Sequence, residues 1–116
     1  MSGNTHTPEI ERAKREKRAA FQKEMDVYGL RVSSKVAVLS TSDPNTVVFV
    51  MQTKDYPLRG YGSHIKQLKA AGFWIFKWWK SETVKRKNKV ITAQRPHFRV
   101  QQIIMVTIHD ESGVKP

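Results

Sequence analysis

Two periods organise the apolar residues of this chain, and glycines mark where one gives way to the other. In TPEIERAKREKRAAFQKEMDVYG, Ile10, Ala13, Ala20, Phe21, Met25 and Tyr28 recur at near-helical spacing, Thr7 suits an N-cap, Pro8 the first helical position and Gly29 a stop. The pattern predicts a helix of about five turns. Lys17 interrupts the stripe, so the first half packs weakly, and Glu11 with Arg15 four residues on supports a solvated face. From Leu30 the period drops to two: Leu30, Val32, Val36 and Val38 turn inward, and Arg31, Ser33 and Lys35 outward. TSDPNT supplies a turn, because Asp, Pro and Asn provide local hydrogen bonds and a fixed backbone angle. TVVFVMQTK is apolar on both sides, as expected of a central strand covered on both faces, and forms a hairpin with the preceding strand.

Helical spacing returns after Gly62. Ser63 suits the cap of a short helix ending at Gly72, with Ile65, Leu68 and Ala71 inward and Lys66 and Lys69 projecting. Gly60 and Gly62 let the backbone turn tightly around Tyr61, and the free amide hydrogens of the helix start, beside Arg59, would make a phosphate-sized cradle. GFWIFKWWK follows, with all three tryptophans within six positions. In an extended strand Phe73, Ile75, Lys77 and Trp79 take one side, and Trp74, Phe76, Trp78 and Lys80 the other. Trp79, beside Ile75, is the candidate for the core. The other three rings, about 7 Å apart, suit unpaired bases stacking in succession, unless helices cover both faces and every ring is core.

SETVKRKNKVITAQRPHFR then brings Lys85, Arg86, Lys87, Lys89, Arg95 and Arg99 with no acid after Glu82. Over residues 82–97 this is either a mobile basic arm or a β-hairpin turning near Lys87-Asn88, and both follow a phosphate backbone. Phe98, Val100, Ile104, Val106 and Ile108 alternate as a last buried face. The expected fold is α+β: a single domain over 8–109, with an antiparallel or mixed sheet of about four strands, a long N-terminal helix and a short central one. Residues 1–7 are expected to be disordered and 110–116 to form a tail.

Charge sharpens this picture. The formal net charge is +11, and residues 30–105 alone carry 14 Lys and Arg against Asp43, Asp55 and Glu82. The basicity belongs to the folded body, which favours polyanions through phosphate neutralisation and counterion release. The candidate nucleic-acid contacts are therefore Arg31, Lys35, Arg59 to Gly62, Lys66, Lys69, the Trp74, Phe76, Trp78 and Lys80 side of the aromatic strand, and the basic residues from Lys85 to Arg99.

LRGYGSHIKQLKAAGFWI resembles the centre of a KH module, in which a glycine loop precedes a helix of the form S-x-I-K-x-L and then an aliphatic strand. The resemblance spans residues 47–77. It implies that Arg59, Gly60, Tyr61 and Gly62 form the loop that grips a nucleic-acid backbone, with Ser63 and Ile65 at the helix start and Lys66 and Lys69 facing phosphates. Arg59 stands in place of the first loop glycine, and Pro57 where the family has a helix.

Catalytic chemistry finds less support. The chain has no cysteine, which removes thiolate zinc sites, thiol nucleophiles and disulfides. Gln52-Thr53-Lys54 is similar to the (E/Q)-x-K element of metal-dependent nucleases, but the neighbouring strand offers Ser33, Ser34 and Lys35 where a metal-binding Asp is needed. His6, His64, His97 and His109 have no ligand spacing. The expectation is a non-enzymatic, cofactor-free and metal-free nucleic-acid-binding module, with single strands of DNA or RNA favoured over duplex. A small regulatory or inhibitory protein docking on an acidic surface of a polymerase or nuclease is the alternative, and a degenerate metal-dependent nuclease the third reading. No apolar run suits a membrane span and MSGNTHTPEIERAKREK lacks a signal-peptide core, so a cytoplasmic or nucleoid-associated location is expected. An apolar edge strand would leave homo-oligomerisation open.

Overall fold

The computed structural model describes residues 7–108, so the expectations for residues 1–6 and 109–116 lie outside the described residues. The elements run α1 (Thr7–Asp26), β1 (Val32–Ser40), β2 (Thr46–Thr53), β3 (Tyr56–Pro57), α2 (Gly62–Ala70), β4 (Trp74–Arg86) and β5 (Lys89–Thr107). This is the expected α+β class, with a long first helix and a short second one. The antiparallel sheet has five strands, in the order β1-β2-β5-β3 with β4 also paired to β5. The additional strand is β3, two residues long, and no sequence period exists over so short a stretch. Pro57 sits there without penalty because β3 is last in the strand order, where a missing N–H breaks no ladder. Among the described residues no helix is long and apolar enough to cross a membrane.

The chain divides into two compact units. In the first, residues 7–52 with 102–108, Phe21 and Met25 of α1 are fully buried, as are Leu30, Phe49 and Met51. The helix is clipped to the start of β1 by polar side chains. Arg18 donates through Nε to the Ser33 carbonyl at 3.0 Å, and Gln22 donates to the Leu30 carbonyl at 2.9 Å while accepting from the Val32 N–H at 2.8 Å. Gly29, at φ +72°, closes the helix: the Leu30 N–H returns to the Met25 carbonyl at 3.1 Å. Three expectations need correction here. Ala20 is exposed, since the helix buries only its Phe21 and Met25 edge. Val38 is exposed and Val36 only half-buried, because β1 is the first strand in the order and its distal half is covered on neither side, with Leu39 exposed too. Strand β2 buries Phe49, Met51 and Thr53 but leaves Val48, Val50 and Gln52 half-buried, so it is not covered on both faces.

In the second unit, Thr53–Gln101, the core holds Ile65 and Leu68 of α2 and Phe98 and Val100 of β5. The Thr53 hydroxyl accepts from the Val100 N–H at 3.0 Å and donates to the Lys54 carbonyl at 2.9 Å, which satisfies a buried polar group. Helix α2 starts before Ser63: the cap position is Tyr61, which makes no side-chain cap bond, so Ser63 is a helical residue and not the cap. Gly60, at φ +87°, turns the chain immediately before that cap. Ala71 is exposed, because it falls at the C-cap beyond the packed Ile65 and Leu68 face. Gly72, at φ +95°, lets the Phe73 N–H reach the Leu68 carbonyl at 3.1 Å and hands the chain to β4.

Candidate nucleic-acid interface

Strands β4 and β5 make a hairpin from Trp74↔Gln101 to Arg86↔Lys89, joined only by Lys87 and Asn88. Both turn residues have positive φ, 46° and 66°, as a type I′ connection requires to match the twist of the strands. Of the two forms expected for residues 82–97, the hairpin is the one found. Pro96 lies within β5 without breaking it. Its carbonyl accepts from the Leu58 N–H at 2.9 Å, so its nitrogen points to that same side and the ladder to β4 loses nothing.

Residues directly opposite one another in an antiparallel pair share a face. The register therefore places Trp74, Phe76, Trp78 and Lys80 with Gln101, Arg99, His97 and Arg95. This face carries the open rings. Trp74 is 67% and Phe76 53% exposed, and Trp78 is half-buried. Phe76 and Trp78 lean together with centroids 5.5 Å apart at 32°, closer than the strand repeat suggests. A base inserted between two rings needs about 7 Å, two contact distances of roughly 3.5 Å. These two rings thus act as one composite platform, while Trp74 extends beyond them.

The Arg99 guanidinium lies over that platform, 4.7 Å from the Trp78 centroid and 5.8 Å from that of Phe76. Asp55 pairs with it, with Oδ1 at 2.9 Å from Nη2. Below Trp78, at 6.2 Å between ring centroids, the His97 ring is buried. Glu82 stands near both His97 Nε2, at 3.5 Å, and Arg95 Nε, at 3.8 Å. It is the only carboxylate side chain between residues 56 and 108. The face is thus cationic with its two acids already engaged by its own cations.

Trp79 is on the opposite face, facing Pro96, and is 68% exposed. The expectation that it belongs to the core is overturned: Leu58 and Pro96 line a shallow hollow beside it that does not enclose an indole. Helix α2 covers that same opposite face, since the Tyr61 ring packs on Phe98 at 5.3 Å and Phe98 is the register partner of Lys77. Gly60, Tyr61, Gly62, Lys66 and Lys69 are consequently on the other side of the sheet from the ring platform. Tyr61 is held among Tyr56, His64 and Phe98 and is no free loop side chain.

The remaining candidates divide between two places. Arg59 borders a groove of about 700 Å³ shared with Glu82, Val84 and Arg95 at the root of the hairpin. Lys85, Arg86, Lys87 and Lys89 are exposed at its tip. Arg31 and Lys35 are exposed in the first unit. Sequence reasoning missed Asp55 and Glu82 as charge partners; their isolation in so basic a stretch was the available signal. Among the described residues no three of His, Cys, Asp or Glu come together to hold a metal ion. Asp43 is engaged in its own turn, where it accepts from the Asn45 N–H and the Thr46 hydroxyl.

Searches against family models, curated proteins and solved structures find no match.

Proposed function

We propose that this chain binds single-stranded nucleic acid on the β4–β5 face, with bases stacked on Trp74 and on the Phe76–Trp78 platform and phosphates held by Lys80 and Arg95. The observation that carries this reading is the exposure of Trp74 and Phe76 on the side of the strand that also carries Arg99, Arg95 and Lys80. Exposed large rings lose apolar surface burial that a small fold needs, and a base restores it while its phosphate meets a cation. The glycine loop and α2 then have a structural role in anchoring Phe98, with Lys66 and Lys69 adding to the general field.

Tryptophan fluorescence tests this directly. Titration with homopolymer single strands quenches and shifts the emission, duplex of equal length does so less, and Trp74→Ala removes most of the effect. Indifference to every nucleic acid would redirect the basic surface toward an acidic protein partner.

A further inference from the structure

We infer that the target is a DNA duplex bearing a single-stranded tail, the distal β4–β5 ribbon lying in the major groove while the rings take the tail. This rests on the single-strand reading above and adds to it a second contact on the same hairpin. Beyond Lys80 and Arg95 the hairpin continues as a two-stranded ribbon from Ser81↔Gln94 to Arg86↔Lys89. Residues 85–92 are exposed throughout, including Val90 and Ile91. A bare two-stranded ribbon is marginal in water, and Val90 and Ile91 leave an exposed apolar residue on each of its two faces.

Charge and dimension select the occupant. Arg86 and Lys89 project on the ring side, Lys85 on the reverse side, and Lys87 caps the end. Cations on both faces suit a slot with an anionic wall on each side rather than a single surface. Two strands about 5 Å apart, extending roughly 20 Å over six residues, fit the B-form major groove, which is about 12 Å wide and admits a two-stranded ribbon. Ile91 on the ring side and Val90 on the reverse side can each meet a thymine methyl group at the base edges. The A-form groove of duplex RNA is too narrow for such an insertion, so the geometry selects DNA. The turn supports this assignment: Lys87 takes a left-handed conformation, φ 46°, where Asn or Gly is preferred, so a charge is kept at the tip against local backbone preference.

The test is fluorescence anisotropy at fixed salt with four labelled probes: a tailed DNA duplex, the same duplex blunt, the tail alone, and a tailed RNA duplex of equal sequence. Two linked contacts should make the tailed DNA bind about a hundredfold more tightly than the tail or the blunt duplex. Replacing Lys85, Arg86, Lys87 and Lys89 by Ser should reduce the tailed duplex to the affinity of the tail alone, with tail binding little changed. Circular dichroism of the quadruple variant, whose four positions are all exposed, checks that it remains folded. Equal affinity for tail and tailed duplex overturns the junction while leaving the single-strand reading in place. Failure to bind any probe overturns both. Equal binding of RNA and DNA tailed duplexes overturns the major-groove placement.

Discussion

The guanidinium carbon of Arg99 stands 4.7 Å from the centre of the Trp78 ring, held there by Asp55 at 2.9 Å from Nη2. The carboxylate orients a cation over an aromatic surface and cancels its charge at the same time. These effects oppose one another in binding a polyanion. Both partners are partly exposed, so the pair itself contributes no more than about 1 kcal/mol to folding. Asp55→Asn should therefore leave the melting temperature nearly unchanged and raise single-strand affinity by up to about fivefold at low salt, the same 1 kcal/mol limit read as binding. The dependence of log K on log salt should steepen by about 0.7 if the freed guanidinium meets one phosphate. A weaker complex in the variant would mean that orientation of Arg99 outweighs its charge.

Trp74 and Trp79 give a matched control, for they are 67% and 68% exposed on opposite faces of one strand. Truncating either to Ala should alter stability by roughly 0.5 kcal/mol or less, as for other exposed positions. Only Trp74→Ala should weaken single-strand binding, by about 1–3 kcal/mol for one lost base stack. Phe98→Ala marks the contrasting limit, because that ring is fully buried and its loss should cost about 3–5 kcal/mol of stability. Equal losses of binding at Trp74 and Trp79 would remove the assignment of a single recognition face.

The same pair shows how far the sequence could be read. Alternation correctly separated Trp74, Phe76 and Trp78 from Trp79, because the two-residue period of a strand is a local property. Which face the helix would cover is a tertiary fact. It is decided by Tyr61 packing on Phe98, 37 residues away in sequence, and no local period reports it. The α+β order and the glycine stops at Gly29 and Gly72 were legible, from the two hydrophobic periods and from glycine's access to positive φ. The hairpin turn at Lys87-Asn88 was one of two forms the sequence allowed, because Lys87 runs against the usual residue preference of such a turn. Strand β3 was not, being two residues defined by pairing with His97 and Phe98. Gln22 and Arg18 look like surface residues of a charged helix, yet they clip α1 to β1. In the proposed interface, the cations could be counted from the sequence, but their engagement by Asp55 and Glu82 required the fold.

The turn at the hairpin tip predicts a stabilising change. Left-handed backbone costs a non-glycine residue about 1–2 kcal/mol, less for Asn, whose short side chain bonds locally. The double substitution Lys87→Asn and Asn88→Gly supplies the residues that a type I′ turn prefers. It should raise stability by about 1 kcal/mol, measured by urea unfolding with an unchanged m-value. The same variant loses one cation, so its affinity for duplex-containing probes should fall even as the fold gains. Unaltered or lower stability would indicate that a folded-state contact of Lys87 offsets the strain.

Asp43 predicts where acid acts on the first hairpin. Its carboxylate accepts from the Asn45 N–H at 2.9 Å and from the Thr46 hydroxyl at 2.8 Å, and these bonds, the backbone one foremost, hold its pKa below the usual 3.8. A depressed folded-state value means that the unfolded chain takes up the proton first as pH falls. The stabilisation is therefore complete above the unfolded pKa and is lost as pH drops through the folded one. Wild type and Asp43→Ala should differ most near neutrality and converge in acid, when stability is followed by thermal melting across that range. A carboxyl carbon titration by NMR should place the Asp43 midpoint below those of ordinary aspartates. A difference between wild type and variant that stays constant into strong acid would show that the turn does not depend on the ionised carboxylate.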